Sequence, residues 1–316
     1  MQLKNIKTIY LIAFCFLALS LSSCFNVLSE NEVITDEHTP RLVVNGLITS
    51  QPGPYYVQLS LTSVPSALAV DYTPITNATV TISDTQGNVD VLKPFDDEYP
   101  NLYDGDNLNR TWADLGYYQT TTNLQGTPGQ TYTLTIVYDG QTYKATATMP
   151  LNAPELALKH EDNYKLPFIY FDEPQDQENY YLFYYSSFTN GSAWPFHSRY
   201  EYESIPNNLR STFYSLNLAY DDTYLPSKVE RLDIYEGNNR QLFAEPSPFD
   251  PDSSVVEMHS VTREVYDLYQ AIKKQQENDG GAFDGPPADL PTNLSNGALG
   301  FFRASAISRK TIPFTR

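Results

Sequence analysis

From Arg41 onward, apolar and polar positions alternate with a period of two over much of the first half of the chain. Val57, Leu59 and Leu61 alternate with Gln58, Ser60 and Thr62, and Ala78, Val80 and Ile82 alternate with Thr79, Thr81 and Ser83. Successive side chains of an extended chain point to opposite faces, so these runs predict half-buried strands. Tyr132, Leu134, Ile136 and Tyr138 continue the pattern among threonines. Asp139-Gly140 then leads into Tyr143, Ala145, Ala147 and Met149, alternating with Lys144, Thr146 and Thr148. Two alternating runs joined by Asp-Gly predict a β-hairpin with a two-residue turn. Pro128-Gly129 suits the centre of a type II turn, and Asp84 to Asn88 supplies another.

In the second half, Leu166 to Phe171 and Asn179 to Tyr185 flank a break at Asp172-Glu173-Pro174 and predict strand, turn and strand. Tyr180 to Tyr185 is apolar or aromatic at every position, which predicts a strand lying between two layers. Thr212 to Tyr220, Val229 to Tyr235, Ser254 to Met258 and Leu299 to Ser308 are further strand candidates. One segment changes period: Val261, Val265, Leu268 and Ile272 recur at helical spacing and Gly280 follows as a stop, predicting a helix near 261–278. The expected fold class is all-β, with two β-sandwich domains of immunoglobulin or fibronectin type, at 41–150 and 151–316, the second carrying the one amphipathic helix. Gly129-Gln130-Thr131-Tyr132, entering a strand, looks like the tyrosine-corner region of immunoglobulin-like domains.

The first residues follow a different logic. Lys4 and Lys7 form a short positive segment, and Ile9 to Leu21 is a nearly unbroken apolar run. This is the form of a signal peptide, here 1–23, and its run is short of the roughly 20 residues of a membrane-spanning helix. It ends Leu21-Ser22-Ser23-Cys24, which resembles a bacterial lipobox, with cleavage expected between Ser23 and Cys24 and lipidation on the Cys24 thiol. The thiol must be free to accept a diacylglyceryl group, and small residues before it let a peptidase approach. Two or three acyl chains anchor durably where one holds only marginally. Residues 24–40, with Glu30, Glu32, Asp36 and Glu37 and few apolar positions, read as a flexible tether. Such a tether spans on the order of 20–25 Å, so the body is expected close to its membrane. Phe25 stands where an inner-membrane retention aspartate would be, which favours the outer membrane.

Charge and cysteine content narrow the chemistry. The formal net charge of −18 becomes −20 once Lys4 and Lys7 leave with the signal peptide, arguing against nucleic acid as a partner. Cys15 leaves with that peptide and Cys24 is taken by lipid, so no thiol remains for a disulfide, a metal or a nucleophile. There is no Gly-rich phosphate loop, His-Glu-x-x-His or Gly-x-Ser-x-Gly, and His38, His160, His197 and His259 have no ligand-spaced partner. The chain is therefore expected to be no enzyme, with no catalytic residue, no metal and no cofactor. Two regions remain as binding candidates. Asp96, Asp97, Glu98, Asp104, Asp106 and Asp114 gather carboxylates in the segment 96–114, where Ca²⁺ could find oxygen ligands, although a solvated acidic loop explains them as well. The aromatic stretch Tyr180 to Tyr202 includes Trp194-Pro195-Phe196, a stacking surface if exposed and core if inward.

Leu42-Val43-Val44-Asn45-Gly46, Gly53-Pro54-Tyr55, Gly129 to Ile136, Asn179-Tyr180-Tyr181 and above all Pro291 to Phe302 together resemble the Bacteroidota lipoproteins grouped as domain of unknown function 4249. The resemblance covers essentially the whole mature chain. It implies an outer-membrane lipoprotein, commonly encoded beside TonB-dependent transporters, with no established activity and no assigned functional residues. The glycines and asparagines of Pro291 to Phe302 admit a structural reading, with Asn296-Gly297 as a tight turn and Gly300 as a point of close packing. The expected role is a non-enzymatic binding or accessory subunit of an outer-membrane transporter, its ligand, small molecule or glycan, left open. A structural or adhesive surface lipoprotein is the alternative.

Overall fold

The computed structural model describes residues 39–63, 73–100, 110–151, 153–161, 167–175, 177–189, 192–194, 204–213, 218–233, 252–277 and 290–313. Ser23, Cys24 and nearly all of the 24–40 tether lie outside the described residues. Among the described residues no helix is long and apolar enough to cross a membrane.

The alternating runs of the first half are strands: β1 (Leu42–Thr49), β2 (Tyr56–Leu61), β3 (Thr73–Pro74), β4 (Thr79–Asp84), β5 (Val89–Val91), β6 (Lys93–Pro94), β7 (Tyr117–Gln119), β8 (Thr131–Tyr138) and β9 (Gln141–Thr148). The predicted β8–β9 hairpin forms in full register, with Asp139 at φ 48° and Gly140 at φ 70°, the left-handed pair that a two-residue hairpin turn needs. The Asp84 turn closes through its own carboxylate, which accepts hydrogen bonds from the amides of Gln86 and Asn88 at 2.9 Å each. Tyr132 behaves as the tyrosine-corner pattern suggests, since its hydroxyl accepts from the Thr127 amide five residues upstream at 2.7 Å.

The second half contributes β10 (Ala157–Lys159), β11 (Phe168–Asp172), β12 (Tyr180–Thr189), β13 (Ser192–Trp194), α1 (Asn207–Phe213), β14 (Leu218–Asp221), β15 (Lys228–Leu232), β16 (Ser253–Val261), α2 (Arg263–Glu277) and β17 (Leu299–Pro313). The predicted helix is α2, though Val261 closes β16 instead of opening the helix. One expectation needs correction. Thr212 and Phe213, expected in a strand, end α1, and that strand is confined to β14 among the described residues. The strands expected on either side of Asp172-Glu173-Pro174 are β11 and β12, and they do not pair with each other. β11 joins β10 and β15, while β12 joins β16, β14 and β13, because the break sends the chain from one layer to another.

β4, β5, β8 and β9 form a four-stranded sheet in the order β5-β4-β8-β9, and β10-β11-β15 form a three-stranded one. The remaining strands build a ten-stranded sheet along β13-β12-β16-β17-β1-β2-β7-β6, with β14 on β12 and β3 on β2. The chain is thus mostly β, as expected, but its two halves share a sheet across position 150. β17 runs antiparallel to β16 and parallel to β1, from Val43↔Leu299 to Thr49↔Ser305. A parallel pair needs a long crossover, and here nearly the whole body supplies it. Independent sandwiches at 41–150 and 151–316 do not describe this arrangement, because Pro40–Arg316 clusters as one unit.

Side-chain parity settles the layers. Val44 and Ile48 of β1, Val57 and Leu59 of β2, and Phe302, Ala304 and Ala306 of β17 pack against Val80, Ile82, Leu134 and Ile136 of the four-stranded sheet. Tyr181, Phe183 and Tyr185 of β12 and Val256 and Met258 of β16 face the three-stranded sheet through Ile169, Phe171 and Val229. Ser260 lies opposite Ala306 and Met258 opposite Phe183, so both small sheets cover one face of the large one. The other face is covered at one end by α2, through Leu182, Tyr184, Val255, Val265, Leu268 and Tyr269. At the other end, Tyr56, Phe95, Tyr99, Trp112, Tyr117, Ile205 and Leu209 form an aromatic cluster. Full burial of one such side chain is worth about 1.5–3 kcal/mol.

Candidate functional site

The binding candidates singled out in the sequence are distributed differently by the fold. Tyr103, Asp104 and Asp106 lie outside the described residues, as do Pro195, Phe196 and Tyr200, and His38 and His197. In the described part of the acidic segment, Glu98 bridges Thr111, and the Asp114 carboxylate accepts from the Thr111 amide at 2.7 Å and from its hydroxyl at 3.1 Å. Asp114 thus closes its own turn. Tyr99 and Trp112 from the same segment are buried, with ring centroids 4.7 Å apart. Among the described residues no group of three or more His, Cys, Asp or Glu is placed to hold a metal ion. The aromatic residues of β12 are core on both faces, as the uninterrupted apolar pattern predicted.

The structure draws together a polar cluster that the linear pattern did not single out. Tyr184 of β12, Glu257 and His259 of β16, Arg303 and Arg309 of β17 and Tyr269 of α2 all lie on the α2-covered face of the ten-stranded sheet. Alternation explains the placement: Glu257 and His259 share a face with Val255 and Val261, whereas Val256 and Met258 fill the opposite core. The hydroxyls of Tyr184 and Tyr269 are 3.1 Å apart. Arg303 Nη1 donates to the Tyr269 hydroxyl, and its guanidinium carbon sits 5.5 Å from the centre of that ring. Tyr184 meets His259 edge to face at 4.6 Å between ring centroids. Glu257 takes His259 Nε2 at 3.5 Å on one oxygen and Arg309 Nε at 3.5 Å on the other.

Burial controls protonation here. It holds His259 below its ordinary pKa despite the opposing pull of Glu257, so the imidazole is neutral at neutral pH. Burial raises the Tyr184 hydroxyl, aided by Tyr269, so it stays protonated. Burial works against the charge of Arg303, yet the oxygens of Tyr269 and Tyr184 outweigh it and keep the guanidinium charged. Among the described residues, Arg303 Nε, Ser186 Oγ, Ser260 Oγ and Ser305 Oγ are buried without a hydrogen-bond partner. A period-two reading of β16 and β17 held the signal, since Glu257 and His259 fall in phase with Val255 and Val261, and Arg303 in phase with Phe301.

Cavities lie at two places relevant to binding. The larger, about 620 Å³, is a groove lined by Pro52-Gly53-Pro54, Lys93 and the segment Gln119 to Gln125. Asn208 of α1 fixes one wall, donating from Nδ2 to the carbonyls of Pro52 and Pro54 at 2.9 Å each while its Oδ1 accepts from the Thr49 hydroxyl at 2.7 Å. Asp90 fixes the other, its two oxygens accepting from the amides and hydroxyls of Thr121 and Thr122 at 2.6–3.0 Å. Apart from Lys93 the lining is hydroxyl, amide and apolar. The second cavity, about 370 Å³, lies beside Arg303 between β9, β17 and the start of α2.

Pro291 to Phe302 forms a wall of this second cavity and clamps two sheets together. Asn293 pairs with the outer edge of β17 as a further strand would, since Oδ1 accepts from the Phe302 amide at 3.0 Å and Nδ2 donates to the Phe302 carbonyl at 2.7 Å. Nδ2 also donates to the Thr146 carbonyl of β9 at 3.1 Å. Gly300, at φ 89°, lies so close to Val44 that a Cβ there would collide with the Val44 carbonyl oxygen. The structural reading of this motif is the one its contacts support.

Comparison with known families finds a match over most of the chain. The model described as "Domain of unknown function (DUF4249)" covers residues 30–311. No curated protein and no solved structure matches the chain.

Proposed function

From the premise that the chain belongs to the DUF4249 family, whose description assigns no activity, we propose that it is a lipid-anchored, non-enzymatic binding protein of the outer membrane. In this reading it is the accessory subunit of a TonB-dependent transporter. The proposal is carried by a groove of about 620 Å³ lined by hydroxyls, amides, apolar groups and Lys93, in a chain whose Leu21-Ser22-Ser23-Cys24 is read as an anchor and whose residues 24–40 are read as a short tether. Few, well-placed polar groups in a concave surface are what a reversible binding site requires. A body held on a tether of about 20–25 Å stays within reach of an integral membrane partner.

A pull-down of the full-length protein from gently solubilised outer membranes tests this, with Cys24→Ala as control. Recovery of one transporter in near-equal amount, lost in the control, is the expected result. Recovery of the lipoprotein alone, under conditions that preserve other outer-membrane complexes, would sink the accessory reading.

One observation favours an adhesive surface protein instead. The outward face of the four-stranded sheet carries Val89, Val91 and Val137, each more than two-fifths exposed, among threonines of β4, β8 and β9. A face free of carboxylates in these strands, with Lys144 opposite Thr135 as its charge, is suited on so acidic a chain to contact with another surface.

A further inference from the structure

We propose that the cavity between the edge of β17 and the start of α2 binds a small monocarboxylate with an apolar body, and that Arg303 is the residue that holds its charge. The inference deepens the binding reading given above and rests on it, but it is independent of any transporter partnership.

Three features converge on this cavity. β17 pairs with β16 only as far as Ala306↔Ser260, so residues 299–305 leave that neighbour and a space of about 370 Å³ opens beside them. The chain turns there into α2, and Thr262, Glu264 and Val265 line the space. The first amides of a helix have no partner within it, and in a helix of this length they present a partial positive charge.

The second feature is Arg303 itself. It lines the same cavity, is only 6% exposed, and its Nε–H has no hydrogen-bond partner among the described residues. No ion pair is formed by Arg303 among the described residues, because the nearby Glu257 is engaged by Arg309 and His259. Arg303 is thus a buried guanidinium without an ion-paired carboxylate among the described residues, whereas Arg309, which holds Glu257, is exposed to solvent. An uncompensated buried cation is costly, and a ligand anion relieves that cost where solvent reaches poorly.

The lining selects the anion. One planar guanidinium matches one planar carboxylate. A doubly charged phosphate would meet the strongly negative chain and the exposed Glu264 at the rim with only Arg303 to offset them. Phe301 and Val265 supply apolar wall, which an aliphatic or aromatic body covers.

The probe is N-acetyl-L-phenylalanine, with its uncharged carboxamide as control, titrated calorimetrically into the full chain in detergent. The acid should bind at least about tenfold more tightly than the amide, the ratio one charge-assisted hydrogen bond supplies. Arg303→Lys should weaken the acid by about tenfold or more while leaving the amide unchanged. Should that buried substitution fail to fold, Glu264→Gln, at an exposed position, tests the same point and should tighten the acid about two- to fivefold. Equal binding of acid and amide, no binding of the acid to folded protein at millimolar concentration, or no effect of Glu264→Gln would each overturn the proposal. Failure here leaves the pull-down result untouched, and failure of the pull-down leaves this binding measurable.

Discussion

Asp90 is a buried carboxylate without a cationic partner among the described residues, and it survives by satisfying its oxygens. Burial raises its pKa, but the four hydrogen bonds from Thr121 and Thr122 outweigh burial and leave it below the usual carboxylate value. Asp90→Asn places an NH₂ against donors, so urea denaturation should show a loss of about 1–3 kcal/mol. His259 has the opposite sensitivity. Its folded pKa is depressed by burial, so below about pH 6.5 the unfolded chain binds a proton that the folded chain refuses. Stability should therefore fall as pH drops below that point, and His259→Gln should flatten that part of the pH–stability profile. A profile unchanged by the substitution would contradict the burial argument. Glu173 is also buried, with one oxygen unpartnered among the described residues, and burial raises its pKa. At this scale the sequence was only partly legible. Asp84 in its turn was readable because the partners are local, two and four residues away. The partners of Asp90 lie 31 and 32 residues off, and Arg303 meets Tyr184 and Tyr269 only through tertiary structure.

At the scale of elements, period and turn chemistry carried most of the reading. Val57 and Leu59, Val80 and Ile82, Leu134 and Ile136 are buried as alternation predicts, and α2 begins within two residues of its expected start. Short or irregular elements were not visible. β10, with three residues, offers too few positions for a period, and α1 interrupts a stretch whose apolar spacing suits a strand. The clamp formed by Pro291 to Phe302 was readable as residue types but not as contacts. Asn293→Ala removes both bonds to the Phe302 backbone and the bond to Thr146. Hydrogen exchange at the Phe302 amide should accelerate, and global stability should fall by about 1–3 kcal/mol. Unchanged protection of Phe302 would show that another group caps the β17 edge.

For the whole molecule, the pairing of β17 with β1 matters most. Nothing in the local pattern of Leu42–Thr49 or Leu299–Pro313 announces that they are neighbours, because register between strands so far apart is set by shared burial. Val44, Phe302 and Ala304 fill the same core as Val80 and Leu134. A sheet continuous through both halves predicts cooperative unfolding. The chain has two tryptophans, Trp112 and Trp194. Urea transitions followed by Trp112 fluorescence in a Trp194→Phe variant and by circular dichroism should therefore coincide. Two separated transitions would indicate that the halves are independent after all.

Both functional readings rest on the N-terminal anchor, since a body free in solution could not be held beside a membrane transporter. The most direct measurement is incorporation of a labelled fatty acid into the wild-type chain and into Cys24→Ala, each followed by fractionation of the envelope. Label in the wild-type protein, with the variant unlabelled and released to the soluble fraction, is the predicted result. An unlabelled wild-type chain, or a variant that stays in the membrane without Cys24, would contradict the account.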